Sequence, residues 1–440
     1  MKYTNRFKFK RVSLLVVCVS LLNVQIVSAK VDTQTHAHLN NELTPLGAIR
    51  TGNGDVIPAW TGKDVVGQDE KPLFTISHDN YLDYKAHLTV GQLALMAQYH
   101  DFQMPVYITH RTAIAPQWVY DNTFENAVNV TLNKDQTGFE HAKGGIPFPI
   151  PQSALEVYFN HVSRWRGLQI ENRASDAVVY KKGNFTLFTR QALVRFDGYV
   201  ENSQSKYFIS LIGKTLAPAS KSGGGVLVLE PLDQLNNNRM AWSWDKGRRR
   251  VIRAPNVAYD NPVTSASSMR TVDDTDLING SPDRFNWEIL PKQEIYIPYN
   301  NEKLSNKKLK YKDILTPHHI NSDLTRYELH RVWVIQATLK EKWRHVYSKR
   351  TFYVDEDSWQ VVATDQYNKQ GKLWRVSLSY PKFYPDMPGI FPVINVFHDL
   401  ISQKYHVMGL QNEENSKIKF NAELAKDSLF TPSGFKRYMR

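Results

Sequence analysis

The chain has 440 residues, 55 Lys and Arg against 43 Asp and Glu, a formal charge of +12 and a single cysteine. One cysteine excludes an internal disulfide framework and Cys-based zinc sites. The positive excess suits an anionic envelope surface; it is no argument for nucleic acid, which is not an expected partner.

Residues 1–29 read as a secretory signal peptide. Lys2, Arg6, Lys8, Lys10 and Arg11 make a basic start, 12–27 is mostly apolar, and Val27-Ser28-Ala29 offers small residues for cleavage. Asn23 and Gln25 interrupt the apolar run, which argues against a permanent anchor. Cys18 lies inside this segment behind Val17, which is not the small residue that lipidation needs. Cleavage removes five cations and no acid, lowering the charge from +12 to +7. It leaves no cysteine and no apolar run long enough to span a bilayer.

Residues 30–170 read as a loop-rich region with two amphipathic helices. Gly52, Gly54, Pro58, Gly62 and Gly67 punctuate its start, and Trp60 reads as a plug from an ordered loop. Thr89 and Gln92 form a capping box behind Leu88, and Val90, Leu93, Met96 and Ala97 share one helical face. Ser153 and Glu156 form a second capping box. It opens a helix striped by Leu155, Tyr158, Phe159, Val162 and Trp165 that ends near Arg166-Gly167. Between the helices, 105–120 reads as extended and 122–145 as a polar connection.

From 171 to 410 the pattern becomes that of strands. Runs at 177–180 and 185–188 flank Lys181-Lys182-Gly183-Asn184, a hairpin by turn chemistry. Further runs fall at 192–199, 207–212, 226–229, 240–244, 248–253 and 287–296. The densest stretch holds runs at 327–339, 346–354, 359–367 and 372–380. Its breaks include Asp355-Glu356-Asp357-Ser358 and Asn368-Lys369-Gln370-Gly371, the form of an antiparallel meander. Runs at 393–399 and 405–409 follow, and the tail 411–440 reads as polar, with a helix over 413–429. Strict in/out alternation is missing. The expected class is mainly β (α+β): one large curved antiparallel sheet, a half barrel, with the two helices against its concave face.

Five stretches carry a resemblance: MPVYITHRTAIAPQWVYDN (104–122), GGIPFPIP (144–151), RRVIRAPNVAYDNP (249–262), ELHRVWVIQATLKE (328–341) and KRTFYVDEDSW (349–359). In these the chain resembles the bacterial family catalogued as domain of unknown function 1329. That family is placed with the fold of the periplasmic lipoprotein carrier and its outer-membrane receptor. The resemblance implies a half barrel whose helices plug an apolar cavity. It also implies a periplasmic role beside an envelope lipid exporter or an outer-membrane protein. It implies no catalytic residues. The N-terminal region has no counterpart in the small carriers.

An apolar ligand needs concave apolar walls, and Trp333, Phe352, Trp359 and Trp374, with Trp242 and Trp244, are the candidates; each serves equally as core. Arg248, Arg249, Arg250 and Arg253 beside the last two tryptophans are candidates for an anionic head group, or form a solvated hairpin strand. His318 and His319 are adjacent and lack the spacings of metal ligands, so no metal is expected; His330 and His345 read as hydrogen-bonded or solvated. Asp355 and Asp357 flank a turn. Asp260 and Asp283, beside Tyr259 and Phe285, form the pair a glycosidase would need at a separation of roughly 5–10 Å. There is no G-x-S-x-G or H-E-x-x-H, and Gly223–Gly225 lacks a following Lys-Ser/Thr. The residues therefore point to a non-enzymatic, cofactor-free periplasmic protein that carries or receives a lipid or other hydrophobic molecule. An assembly factor for an outer-membrane protein or export system, and a periplasmic hydrolase, are the alternatives.

Overall fold

The computed structural model describes Met1 and residues 33–440, except 55, 68, 202, 204, 255–259 and 421–422. The expected signal peptide beyond Met1, with Cys18, lies outside the described residues, as does Tyr259. Among the described residues no helix is long and apolar enough to cross a membrane.

The helices are α1 (Thr33–His36), α2 (Val90–Gln98), α3 (Gln117–Asn129), α4 (Ala154–Ser163), α5 (Tyr311–Ile314) and α6 (Pro432–Met439). The strands begin with β1 (Phe74–Ile76), β2 (Met104–Val106), β3 (Thr131–Leu132), β4 (Phe139–Glu140), β5 (Gln169–Val179) and β6 (Phe185–Arg195). They continue with β7 (Ile209–Ala217), β8 (Gly225–Glu230), β9 (Met240–Asp245), β10 (Arg250–Arg253), β11 (Phe285–Pro298) and β12 (Tyr327–Leu339). The last are β13 (Lys349–Asp355), β14 (Val361–Tyr367), β15 (Leu373–Tyr384), β16 (Gly389–Asp399), β17 (Lys404–Leu410) and β18 (Lys419–Phe420).

Apart from the short β3–β4 pair, these strands form one open sheet of 16 strands in the order β1-β2-β12-β13-β14-β15-β16-β17-β5-β6-β7-β8-β9-β10. β11 pairs along β12, and β18 pairs with β5. Every pairing is antiparallel except the single contact of Tyr327 with Val106. The meander β12–β15 forms as its turns specify: Asp355 Oδ2 accepts the Ser358 N–H at 3.0 Å. Asn368 Oδ1 accepts the N–H groups of Gln370 and Lys372 at 3.0 Å, with Gly371 at φ 74°. Register shifts place bulges in β11, β14, β16 and β17, which bend a sheet.

One row of side chains crosses nine strands: Leu290, Val334, Tyr353, Ala363, Leu378, Val396, Val407, Ala177 and Leu187. It packs in one core with Leu95 and Met96 of α2. The next row runs through Ile289, Ile335, Phe352, Thr364, Ser377, Phe397, His406 and Val178 and points the other way. There Ile335 and Phe352 pack with Val157, Tyr158 and Phe159 of α4. Both faces are buried, which is why strict alternation is absent. It is also why the two capped helices lie on opposite faces and not together: each face needs its own cover.

Both caps form. Thr89 Oγ1 accepts the Gln92 N–H at 3.0 Å while Gln92 Oε1 accepts the Thr89 N–H at 2.8 Å. Ser153 caps α4, which stops at Ser163, short of Arg166, because Arg164 turns to an extended ψ of 155°. Two segments differ from expectation. Residues 117–129 form α3, which buries only Val119, Thr123, Asn126 and Ala127; a stripe this narrow and polar carries little helical signal. Among the described residues of 413–429 there is no α-helix. Phe420 joins β5, and the helix comes later, at α6, capped by Thr431 with Pro432 in its first turn. Phe435 and Met439 of α6 pack with Trp244, Ile212 and Leu227.

Candidate ligand-binding cavity

A cavity of about 440 Å³ lies between β6–β8 and the segment 265–279. Strand period places alternate residues on one wall: Phe188, Arg190 and Ala192 from β6, Ile209, Leu211 and Gly213 from β7, Val226 and Val228 from β8. Ile212 and Leu227 point away into the core under α6. Val162 of α4, Ile278 and Met408 complete the apolar lining. The cavity is on the face that α4 covers, since Phe188 pairs with Asp176 in the row beside Ala177 and Leu187.

The charged lining is mainly cationic: Arg166, Arg190, Arg239, Arg270 and Lys214, with Glu230 and Asp276. Arg190 grips Asp176 through bonds of 3.1 and 3.2 Å, and Arg239 meets Glu230 at 2.7 Å. Arg270 differs. It is 8% exposed, and its bonds go to the Thr271 carbonyl at 3.3 Å and Thr275 Oγ1 at 3.2 Å. Burial pulls its guanidinium below the usual range, with Asp176 and Asp274 pulling the other way. Among the described residues, the Nε atoms of Arg166, Arg239 and Arg270 are buried without a hydrogen-bond partner.

Three acids, buried Asp273 and Asp274 and half-buried Asp276, pin the cover. Asp273 meets Arg350 at 3.0 Å and His345 at 3.1 Å. Asp274 accepts from Tyr347 Oη at 2.8 Å and Gln366 Nε2 at 2.9 Å. Asp276 joins Arg164 at 2.8 Å and Arg166 at 2.7 Å. Burial alone would raise Asp276, but the two guanidinium groups overcome it and hold the carboxyl well below the ordinary range. In the sequence these acids read only as loop residues.

The ligand contacts expected from sequence lie elsewhere. Trp359 is fully buried and donates Nε1–H to the Leu46 carbonyl at 2.8 Å. Trp333 stacks on Trp359 at 6.1 Å and carries Lys292 3.8 Å from its ring centre. Phe352 is fully buried beside Trp287 at 5.9 Å. Trp374 donates to Asp399 at 3.0 Å under Arg375. Trp242 and Trp244 pack against the α6 core. None of these six lines the cavity. The large aromatics sit where both faces are covered, whereas the cavity opens over β6–β8, where the inward residues are smaller. Arg248, Arg249, Arg250 and Arg253 are exposed on the β9–β10 hairpin and also lie outside the cavity. The cavity arginines carry no signal in the sequence: Arg190 falls between the runs 185–188 and 192–199, which the structure joins into β6.

Asp260 pairs with Arg284 at 3.5 Å, and neither it nor Asp283 lines the cavity. His318 stacks on Tyr99 at 4.8 Å, and His319 Nδ1 faces the Ile320 carbonyl at 2.8 Å. Against the expectation of no metal site, His330, Asp355 and Asp357 bring candidate ligand atoms within 4.8 Å of one another. A second, larger cavity, of about 580 Å³, is lined by charged residues, among them Asp64, Glu70, Lys303 and Arg326, and by apolar ones, among them Val65, Leu324 and Phe383.

Uncharacterized protein PA3922 of Pseudomonas aeruginosa is 40% identical over 442 residues, covering 96% of this chain and 97% of the relative. A solved domain from Vibrio parahaemolyticus assigned to outer membrane lipoprotein sorting is similar at 13% identity with a TM-score of 0.44, over 64% of this chain and 98% of that one. A solved DUF1329 family protein from Desulfovibrio piger is similar at 12% identity with a TM-score of 0.40, over 61% of this chain and 92% of that one. The family described as "Protein of unknown function (DUF1329)" matches residues 75–436, and the chain belongs to that family.

Proposed function

We propose that this protein is a non-enzymatic carrier or receptor, working in the periplasm, that holds a lipid or another hydrophobic molecule with an anionic end. The cavity over β6–β8 carries this reading. Its volume of about 440 Å³ suits a small ligand, and its walls are apolar. Arg166, Arg190 and Arg239 reach it already paired with Asp276, Asp176 and Glu230, and Arg270, whose bonds go to a carbonyl and a hydroxyl, is the guanidinium left to match phosphate or carboxylate oxygens. The two carboxylates in the lining are engaged by arginines, so neither is free to act as a general base. The expected leader directs the chain to the envelope, where a lipid exporter or an outer-membrane protein is the proposed partner.

The test is native mass spectrometry of the mature protein purified from its own periplasm, followed by organic extraction. One anionic amphiphile per chain, lost in Gly213→Phe, is the expected result. A Cβ at Gly213 meets its nearest neighbours at an ordinary 3.6 Å, so the added ring fills the cavity without clashing at its root. An empty protein that takes up nothing from envelope extract would sink the carrier reading and favour the assembly factor.

A further inference from the structure

A second constellation, away from the cavity, has the make-up of a cation site. His330 lies in β12, Asp355 ends β13, Asp357 is in the following turn, and Tyr299 follows β11. All four are buried, Asp355 and Tyr299 completely. His330 Nε2 donates to Glu328 Oε2 at 3.2 Å, and Nδ1 is the ring nitrogen turned toward the two aspartates. Nδ1 stands 3.7 Å from Asp355 Oδ1 and 3.9 Å from Asp357 Oδ2. These gaps are too long for hydrogen bonds. Tetrahedral neighbours held by bonds of about 2.0–2.2 Å stand about 3.3–3.6 Å apart, so one divalent ion would draw these atoms inward by a few tenths of an ångström.

The unmet bonds and charges point to the same place. Among the described residues, Asp355 Oδ1 and the Tyr299 hydroxyl meet no partner at full hydrogen-bond geometry, and the two groups lie against each other. Tyr299 packs its ring 4.1 Å from that of His330. Each neighbouring acid has its own cation: Arg326 on Glu328, Lys292 on Glu356, Arg111 on Asp357. Among the described residues Asp355 has no Lys or Arg; Ser358 satisfies only its Oδ2. A buried carboxylate with one bare oxygen is costly unless a cation reaches it.

We propose that His330 Nδ1, Asp355 Oδ1 and Asp357 Oδ2 bind one divalent transition-metal ion, with the Tyr299 hydroxyl or water beside it. One imidazole with two carboxylates suits Zn²⁺ or Mn²⁺. Glu328 orients the histidine from behind, as carboxylates do for metal-bound imidazoles. The ion fastens the N-terminal region to the meander. Arg111 grips Asp357 and also donates to the carbonyls of Ile49 at 2.7 Å and Arg50 at 3.1 Å. Three of the stretches that carry the family resemblance, around Arg111, His330 and Asp355, meet at this point.

The experiment uses the mature full chain, stripped with chelator and titrated calorimetrically with Zn²⁺ or Mn²⁺ alone. One ion per chain is expected, with about a hundredfold or greater loss in Asp355→Asn and about tenfold or greater loss in Glu328→Gln. Wild-type crystals soaked in Mn²⁺ locate the site without relying on variants that fail to fold. An anomalous peak between His330 Nδ1 and Asp355 supports the proposal. No stoichiometric binding of either ion, unchanged affinity in Asp355→Asn, or a peak elsewhere overturns it.

Discussion

Asp365 of β14 accepts the backbone N–H of Gly91, in the first turn of α2, at 2.9 Å. The carboxylate sits at a helix N-terminus, where negative charge is favoured, and its other oxygen accepts from Tyr353 Oη at 3.0 Å. The contact needs a glycine. A Cβ at position 91 would stand 2.3 Å from Asp365 Oδ1 and 2.6 Å from Val376 Cγ1.

Gly91→Ala is therefore expected to destabilise the protein, although alanine is the better helix former by about 1 kcal/mol. Forcing a methyl into a packed site costs about 1–3 kcal/mol. Urea unfolding should show a lower midpoint with an unchanged slope. A midpoint equal to wild type would show that helix and sheet separate freely here.

Asp365 also sets a pH dependence. Burial pushes its carboxyl from 3.8 up to about 7, against the bonds from Tyr353 and Gly91. The folded state thus holds the proton more tightly than the unfolded chain. Its contribution is full below the ordinary carboxylate value and is lost as pH rises through about 7. In Asp365→Asn this loss disappears, so wild type should weaken relative to the variant by on the order of 2 kcal/mol between pH 5 and 8. Parallel melting curves for the two proteins across that range would refute the assignment.

Asp276→Asn is expected to cost about 3–5 kcal/mol, because Arg164 and Arg166 would stay buried without their counter-charge. The folded carboxyl lies below the ordinary range, so the wild-type ion pairs are fully present above that range and weaken only as pH falls below it. Mild acid at pH 5 should leave the cover in place, which hydrogen exchange of residues 265–279 can check.

Arg270→Met should separate head-group recognition from stability. It removes a buried cation whose bonds go only to a carbonyl and a hydroxyl, so the melting temperature should hold or rise. Affinity for an anionic amphiphile should fall about tenfold or more, the loss of one charge-assisted bond pair, while a neutral analogue binds as before. Equal losses for both ligands would remove Arg270 from the head-group role.

Trp359→Ala should cost about 3–5 kcal/mol as a core truncation. Ligand carried per folded molecule should be unchanged. A changed lipid profile would restore the aromatic cluster as a ligand wall.

The meander and both helix caps were legible because their signals are local: β-branched and aromatic runs, Asp and Asn turns, and Thr89 and Ser153 three residues ahead of their partners. The partnerships that shape the site are not local. Asp276 with Arg164, Arg111 with Asp357 and Gly91 with Asp365 each join segments more than a hundred residues apart. The cavity is hidden in the sequence for another reason. A void is written as small residues such as Ala192 and Gly213, whereas bulky tryptophans draw the eye and prove to be the filling. α3 is not legible in the sequence because its buried stripe is half polar.

The sheet never closes, and its order ends at β10. A last strand with unpaired amides is a template on which another copy can crystallise into a fibril. Here that strand runs Arg250-Val251-Ile252-Arg253, with Arg250, Ile252 and Arg253 exposed. The cationic hairpin thus works as a fence: like charges repel an approaching twin before its backbone can register. Replacing Arg248, Arg249, Arg250 and Arg253 with glutamine should leave the fold intact and let light scattering grow with concentration; a monodisperse variant would show that the edge needs no guard.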